Sequence, residues 1–95
     1  MSWGSRILPE AERDLENLDV PIRRRAYERL FWLAYHFDEI TPLPLEATLK
    51  GFFKLRVGDW RIVYEVNDVD KEVVVHAIDR RDKIYKRTFV HFAKK

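Results

Sequence analysis

The chain has 95 residues and no cysteine, with 46% hydrophobic, 14% aromatic and 36% charged side chains. That length fits one small domain around one core, so many core formers exclude disorder, and the missing cysteines exclude a disulfide framework or thiolate metal centre. The net charge of +2 is unevenly spread: residues 1–49 hold six Lys/Arg against nine Asp/Glu, and residues 50–95 hold twelve against seven. A positive C-terminal half points to a polyanionic partner. No apolar run reaches transmembrane length, and Met1–Arg6 lacks the apolar core of a signal peptide, so a soluble cytoplasmic protein without membrane association is expected.

A short strand is predicted over Ser5–Leu8. Pro9 suits the first position of a helix, with Glu10, Glu12 and Asp14 where the helix dipole favours acids, and Ala11, Leu15 and Leu18 at helical spacing carry it to about Leu18. A second helix starts near Pro21 with Asp19 as a candidate cap. Ile22, Ala26, Leu30, Leu33, Ala34 and Phe37 form its buried stripe. The prolines of Thr41-Pro42-Leu43-Pro44 end the helical region. Three strands follow, at about Phe52–Val57, Trp60–Asn67 and Glu72–Asp79, the last carrying the β-branched run Val73-Val74-Val75. The second connection, around Asn67–Lys71, allows two registers, so His76 can face the core or the open side. A charge-dense run from Arg80 to Arg87 leads into a short tail with Phe89 and Phe92. Strand, helical hairpin, then antiparallel meander with a C-terminal tail or helix is an α+β class, in a single domain spanning residues 1–95.

The first hairpin is the most informative stretch. Gly58-Asp59 reads as a two-residue turn with Gly leading, which sets Val57 opposite Trp60, Leu55 opposite Ile62 and Phe53 opposite Tyr64. These pairs make an apolar side. Arg56 then faces Arg61 on the other side, with Lys54 beside them. Like charges directly opposed cost roughly 0.2–1 kcal/mol, which a bound anion would offset.

Familiar catalytic signatures are absent. Gly4, Gly51 and Gly58 make no phosphate loop, and His36, His76 and His91 are too widely spaced for a local metal motif. Lys54, Arg56, Arg61, Arg80, Arg81 and Tyr85 suit phosphodiester chemistry on RNA. Guanidinium groups clamp a phosphate, a tyrosine or lysine can take the proton of a 2′-hydroxyl, and an aromatic ring can stack on a splayed base.

Leu49-Lys50-Gly51, then Phe53-Lys54-Leu55-Arg56-Val57-Gly58-Asp59-Trp60-Arg61-Ile62-Val63-Tyr64, then Val73–Tyr85 with its Arg80-Arg81-Asp82-Lys83-Ile84-Tyr85 ending, resemble the RelE/ParE superfamily of type II toxins. The resemblance is closer to RelE-like mRNA interferases. It implies a ribosome-dependent endoribonuclease that cuts mRNA in the A site by metal-independent attack of the 2′-hydroxyl, with no cofactor. In it, Arg61 corresponds to the arginine that binds the scissile phosphate and Arg81 to the one that stabilises charge and helps protonate the leaving oxygen. Tyr85 matches a tyrosine that stacks on or activates the substrate, and Lys54 a lysine acting as base or charge stabiliser. Arg56, Arg80 and Lys50 are expected to bind substrate. Phe52 stands where the best-studied ribosome-dependent members carry a further lysine. The resemblance also implies a cognate RelB-like antitoxin, with the toxin monomeric alone and heteromeric in complex. Its alternatives are a ParE-like, non-enzymatic gyrase inhibitor and an inactive member that only binds antitoxin.

Overall fold

The computed structural model describes residues 3–46 and 49–93, with side chains to residue 90. The side chains of His91 and Phe92, singled out above, lie outside the described residues. Strand β1 (Gly4–Ile7) runs into helices α1 (Pro9–Glu16) and α2 (Val20–Tyr35), a 3-10 turn (Phe37–Glu39) and a two-residue strand β2 (Leu43–Pro44). Then come β3 (Phe53–Val57), β4 (Trp60–Asn67), β5 (Glu72–Arg80) and helix α3 (Ile84–Ala93).

The five strands make one sheet in the order β1-β5-β4-β3-β2. The expected antiparallel meander is its centre, but the sheet is mixed, because β1 returns to lie parallel to β5 with Ile7 opposite Val75. The α1–α2 hairpin supplies the long crossover that a parallel pairing needs. Where β1 gives way to α1, the edge of β5 loses its partner, and Asp14 replaces it by accepting the Ile78 N–H at 2.9 Å. Strand β2 has proline at half its length and pairs only at the sheet edge, which is why a β pattern could not announce it.

Both predicted helices form, each with proline in its first turn. The N-cap Asp19 makes no side-chain capping bond. Arg23 instead closes the inter-helix turn from the other side, donating to the carbonyls of Leu15, Glu16 and Leu18 at 2.9–3.0 Å. The helices bury Ala11, Leu15, Ala26, Leu30 and Leu33 against Leu55, Val57, Ile62, Tyr64, Val73 and Val75 of the sheet. Trp3 closes the end of this core, its ring tilted against Phe37 with centroids 4.6 Å apart and its indole N–H donated to Asp38 at 2.9 Å.

The register of the first hairpin matches the sequence argument at every pair, including Arg56 opposite Arg61. Gly58 has φ +57°, the left-handed region that the turn requires of its leading residue. In the second hairpin, Asn67 Oδ1 accepts the N–H groups of Val69 and Asp70, and Lys71 takes φ 53°. A bulge between Val63 and Tyr64 resolves the open register question. It leaves His76 as the extra residue between Val75, opposite Tyr64, and Ala77, opposite Val63, and His76 turns to the open side and bonds Glu65.

The C-terminal segment is a helix, not an extended tail. Ile84 is fully buried in a second small core with Leu45, Leu49, Val63 and Ala77 on the sheet's other face. Thr88 follows one turn later, buried, with its hydroxyl donating to the Ile84 carbonyl at 2.7 Å. The helical spacing of Ile84 and Thr88 was present in the sequence, though masked by the charges between them.

Candidate active site

The open face is built by alternation. On β3, the residues between the core-facing Phe53, Leu55 and Val57 are Lys54 and Arg56, and on β4 Arg61 lies opposite Arg56 while Val63 lies opposite Lys54. Same-face neighbours along a strand are roughly 7 Å apart, so the three cations share a small area. The Arg56–Arg61 repulsion is relieved without a ligand. Arg61 bends toward the turn and donates to the carbonyls of Gly58 and Trp60, both at 2.8 Å. Among the described residues none of Lys54, Arg56, Arg61 and Arg81 forms an ion pair.

Helix α3 completes this face. Burial of Ile84 fixes the start of the helix over Val63 and Ala77, and that places the next residue, Tyr85, against Phe52 in the same small core. From there the Lys54 ammonium donates to the Tyr85 hydroxyl at 2.9 Å and lies 5.4 Å from the ring centroid. Both side chains are half-buried, which strengthens the bond relative to one in bulk water. A lysine donating to a phenol stabilises any negative charge that the phenol oxygen acquires. It equally lets the two groups pass a proton between them.

The remaining candidates divide. Arg81 is exposed, and its backbone N–H bonds the Asp59 carbonyl at 2.8 Å, which holds it at the turn end of the β3–β4 hairpin near Arg56 and Arg61. Arg80, expected just past the end of its strand, is the last residue of β5 and lies on the other side of the sheet. It is the ladder partner of Trp60, on the helix side, with its guanidinium 5.5 Å from the Trp60 ring centroid. There it lines a cavity of ≈ 400 Å³ with Asp19, Ile22, Arg25 and Asp59. Lys50 is exposed in the turn before β3. His76 packs edge-on against Phe52 at 5.4 Å, so a His–Glu pair borders the Tyr85 cluster.

Sequence reasoning passed over Arg87 and Asp79. Arg87, one helical turn after Lys83, reaches off α3 to Asp14 at 2.8 Å, Asp79 at 3.2 Å, the Ile78 carbonyl at 3.3 Å and Glu10 at 3.6 Å. Burial works against its charge, but the hydrogen bonds and fields of Asp14, Asp79 and Glu10 outweigh that and raise its pKa further. No spacing in the sequence links these residues, because the cluster joins α1, β5 and α3. A cavity of ≈ 560 Å³ opens beside it, bounded by Glu10, Asp82, Lys83 and Lys86. Among the described residues no group of three or more His, Cys, Asp or Glu is placed to hold a metal ion.

Residues 6–85 match the family described as the ParE toxin of the type II toxin–antitoxin system, parDE. The chain belongs to this family of type II toxins. Toxin RelG of Mycobacterium tuberculosis (strain ATCC 25618 / H37Rv) is 31% identical over 87 residues, spanning 92% of this toxin and 100% of RelG. Among solved structures, the RelBE2 toxin–antitoxin complex of the same species superimposes with a TM-score of 0.75 at 29% identity, covering 85% of this toxin and 100% of that chain. A mutant of E. coli toxin RelE in the free state gives a TM-score of 0.76 at 19% identity over 97% and 99% of the two chains, a likeness of fold. The toxin is therefore a RelE-type α+β domain within a type II toxin–antitoxin system. Among its described residues no helix is long and apolar enough to cross a membrane.

Proposed function

We propose that this toxin is an endoribonuclease that cleaves mRNA in the ribosomal A site. The observation that carries the reading is the Lys54–Tyr85 hydrogen bond, 2.9 Å long, on the face that also holds Arg61. A proton-handling pair beside an arginine without a carboxylate partner is what phosphodiester transfer requires, and a protein that acts by contact alone has no use for it.

In the proposed step the scissile phosphate sits against Arg61 and Arg81, whose guanidinium groups neutralise the charge that grows on its non-bridging oxygens. With the pair one proton short, Tyr85 as a phenolate held by the Lys54 ammonium, the 2′-hydroxyl gives its proton to the Tyr85 oxygen and its own oxygen bonds to the adjacent phosphorus. The bond from phosphorus to the 5′-oxygen breaks, and that oxygen takes a proton from the Arg81 guanidinium, which recovers one from solvent. The products are a 2′,3′-cyclic phosphate and a 5′-hydroxyl. Arg56 and Lys50 hold flanking phosphates, and Tyr85 also offers a ring for stacking. Arg80 contributes from the other face, where Trp60 and Arg25 adjoin it.

The natural partner in this reading is a RelB-like antitoxin, supported by the RelBE2 complex that the fold resembles. An acidic antitoxin segment would complement the positive C-terminal half. The toxin alone would be a monomer, working in the cytoplasm where ribosomes are.

The match to ParE toxins supports a second reading, inhibition of gyrase without bond cleavage. Primer extension on a ribosome-bound message, with and without purified toxin, separates the two. Cuts within A-site codons, lost in folded Arg61→Ala and Arg81→Ala variants by roughly 10²-fold or more, are the expected result. An uncut message with DNA damage in induced cells would replace the proposal with the gyrase reading, and neither effect would leave an antitoxin-binding member.

A further inference from the structure

Arg61 has a carboxylate directly across the ladder that it does not use. Asp79 on β5 is its cross-strand partner on the open face, so the two Cβ atoms stand about 4.5–5.5 Å apart. Opposite charges at that separation ordinarily pair. Here Arg61 donates only to the carbonyls of Gly58 and Trp60. The carboxylate of Asp79 is taken: Oδ2 accepts from Arg87 at 3.2 Å, and Oδ1 accepts the Arg80 N–H at 2.7 Å. Arg87 in turn is held by Asp14, Glu10 and the Ile78 carbonyl, so its grip on Asp79 is part of a fixed cluster and not a chance surface contact.

We infer that Arg87 is a positioning residue that keeps Arg61 available for the substrate phosphate by occupying Asp79, so that docking of α3 and arming of the site are one event. The inference rests on the role proposed above for Arg61. Its physical basis is competition. Two guanidinium groups, one from α3 and one from β4, compete for the same carboxylate. The α3 group wins while the helix is seated, because three further acceptors hold it in place. Lifting α3 from the sheet removes Arg87 and Tyr85 together and passes Asp79 to Arg61. The site then loses its proton-handling group and its phosphate clamp in the same movement.

The test uses the full-length toxin and the variants Arg87→Ala, Arg87→Lys, Asp79→Asn and the two double variants that combine Asp79→Asn with each Arg87 change. Two readouts are taken: the NMR resonance of the Arg61 side-chain Nε–H, which needs no activity, and cleavage of a ribosome-bound message. In Arg87→Ala the Arg61 resonance should shift, and cleavage should fall by about tenfold or more, the factor set by a hydrogen bond to a charged group. Adding Asp79→Asn should return the resonance and restore cleavage to within about threefold of wild type. Asp79→Asn alone should cleave like wild type.

If Arg87→Ala does not fold by circular dichroism, the Arg87→Lys pair decides. A lysine reaches the nearer Asp14 and releases Asp79, so it should show the same loss and the same rescue. A folded Arg87 variant whose defect persists with Asp79→Asn, or whose Arg61 resonance does not move, overturns the inference while leaving the nuclease reading intact. A wild-type toxin that cuts nothing, but whose Arg61 resonance moves and returns as described, overturns the nuclease reading and keeps the hand-over of Asp79.

Discussion

The bond between Lys54 and Tyr85 should behave as one catalytic unit, and a double-mutant cycle can show it. Tyr85→Phe removes the hydroxyl but keeps the ring among Phe52, Ile84 and Val63, so the small core under α3 stays filled. The lost hydrogen bond is charge-assisted, 2.9 Å long and half-buried, which puts its direct worth at about 1.5–3 kcal/mol; because Lys54 can recover water, the cost in stability should fall at the low end. Activity should suffer far more, by the roughly 10²–10⁴-fold that a positioned proton acceptor contributes. Lys54→Met keeps the aliphatic stem and removes the donor, and it should cost a similar factor. If the phenol and ammonium act together, the double variant Lys54→Met/Tyr85→Phe should be no slower than the worse single variant by more than about threefold. Single-turnover cleavage of a ribosome-bound message measures all four rates. Losses that multiply in the double variant would refute a shared role, as would Tyr85→Phe cleaving at the wild-type rate.

Two further predictions concern the scaffold. Ile84 is fully buried at the foot of α3, so Ile84→Ala should cost about 2–5 kcal/mol in urea unfolding, and amide exchange should rise first in α3; unchanged exchange there would argue that Tyr85 alone seats the helix. Tyr64, only 1% exposed, has its phenol pushed by burial from 10 to about 12. Between those values the unfolded chain releases a proton that the folded chain keeps, so this contribution is intact below pH 10 and is lost as pH rises toward 12. The slope is roughly 1.4 kcal/mol per pH unit within that window, and Tyr64→Phe, measured alongside wild type by denaturant unfolding, should flatten it.

What the sequence revealed of the fold was set by how local each signal is. The β3–β4 register could be counted from Gly58 because a two-residue turn fixes every later pair, and all of those pairs are observed. The β4–β5 register could not be counted, because its longer connection allows two parities and a bulge beyond Tyr64 then shifts the pairing. The parallel pairing of β1 with β5 joins residues about seventy positions apart, and β2 is two residues long; neither leaves a periodic trace. The site shows the same division. Lys54, Arg56 and Arg61 fall on one face by alternation alone. Their relation to Tyr85 needed α3, whose apolar spacing is interrupted by Lys83, Lys86 and Arg87. Both Arg80 and Arg81 are expected past the end of the strand, but β5 extends to Arg80, whose place opposite Trp60 sets its guanidinium over that ring, while Arg81 begins the turn.

The opposed pair Arg56 and Arg61 first suggested that a bound anion must offset their repulsion. The structure offers a closer explanation, since the turn carbonyls already stabilise Arg61. The case for a phosphate site therefore does not rest on repulsion. It rests on what the fold withholds from these cations. Asp79 stands opposite Arg61 and is engaged by Arg87, while Asp59 uses its carbonyl to hold the Arg81 backbone and forms no ion pair there. A surface that needed only solubility would let neighbouring charges of opposite sign pair. The Arg87 pairing ties α1, β5 and α3 together, but leaving Arg61 unpaired beside an acid brings the fold no return of its own. The return comes if a negatively charged group outside the chain binds there, and the Lys54–Tyr85 pair beside it makes an RNA phosphate the group that these residues are equipped to act on.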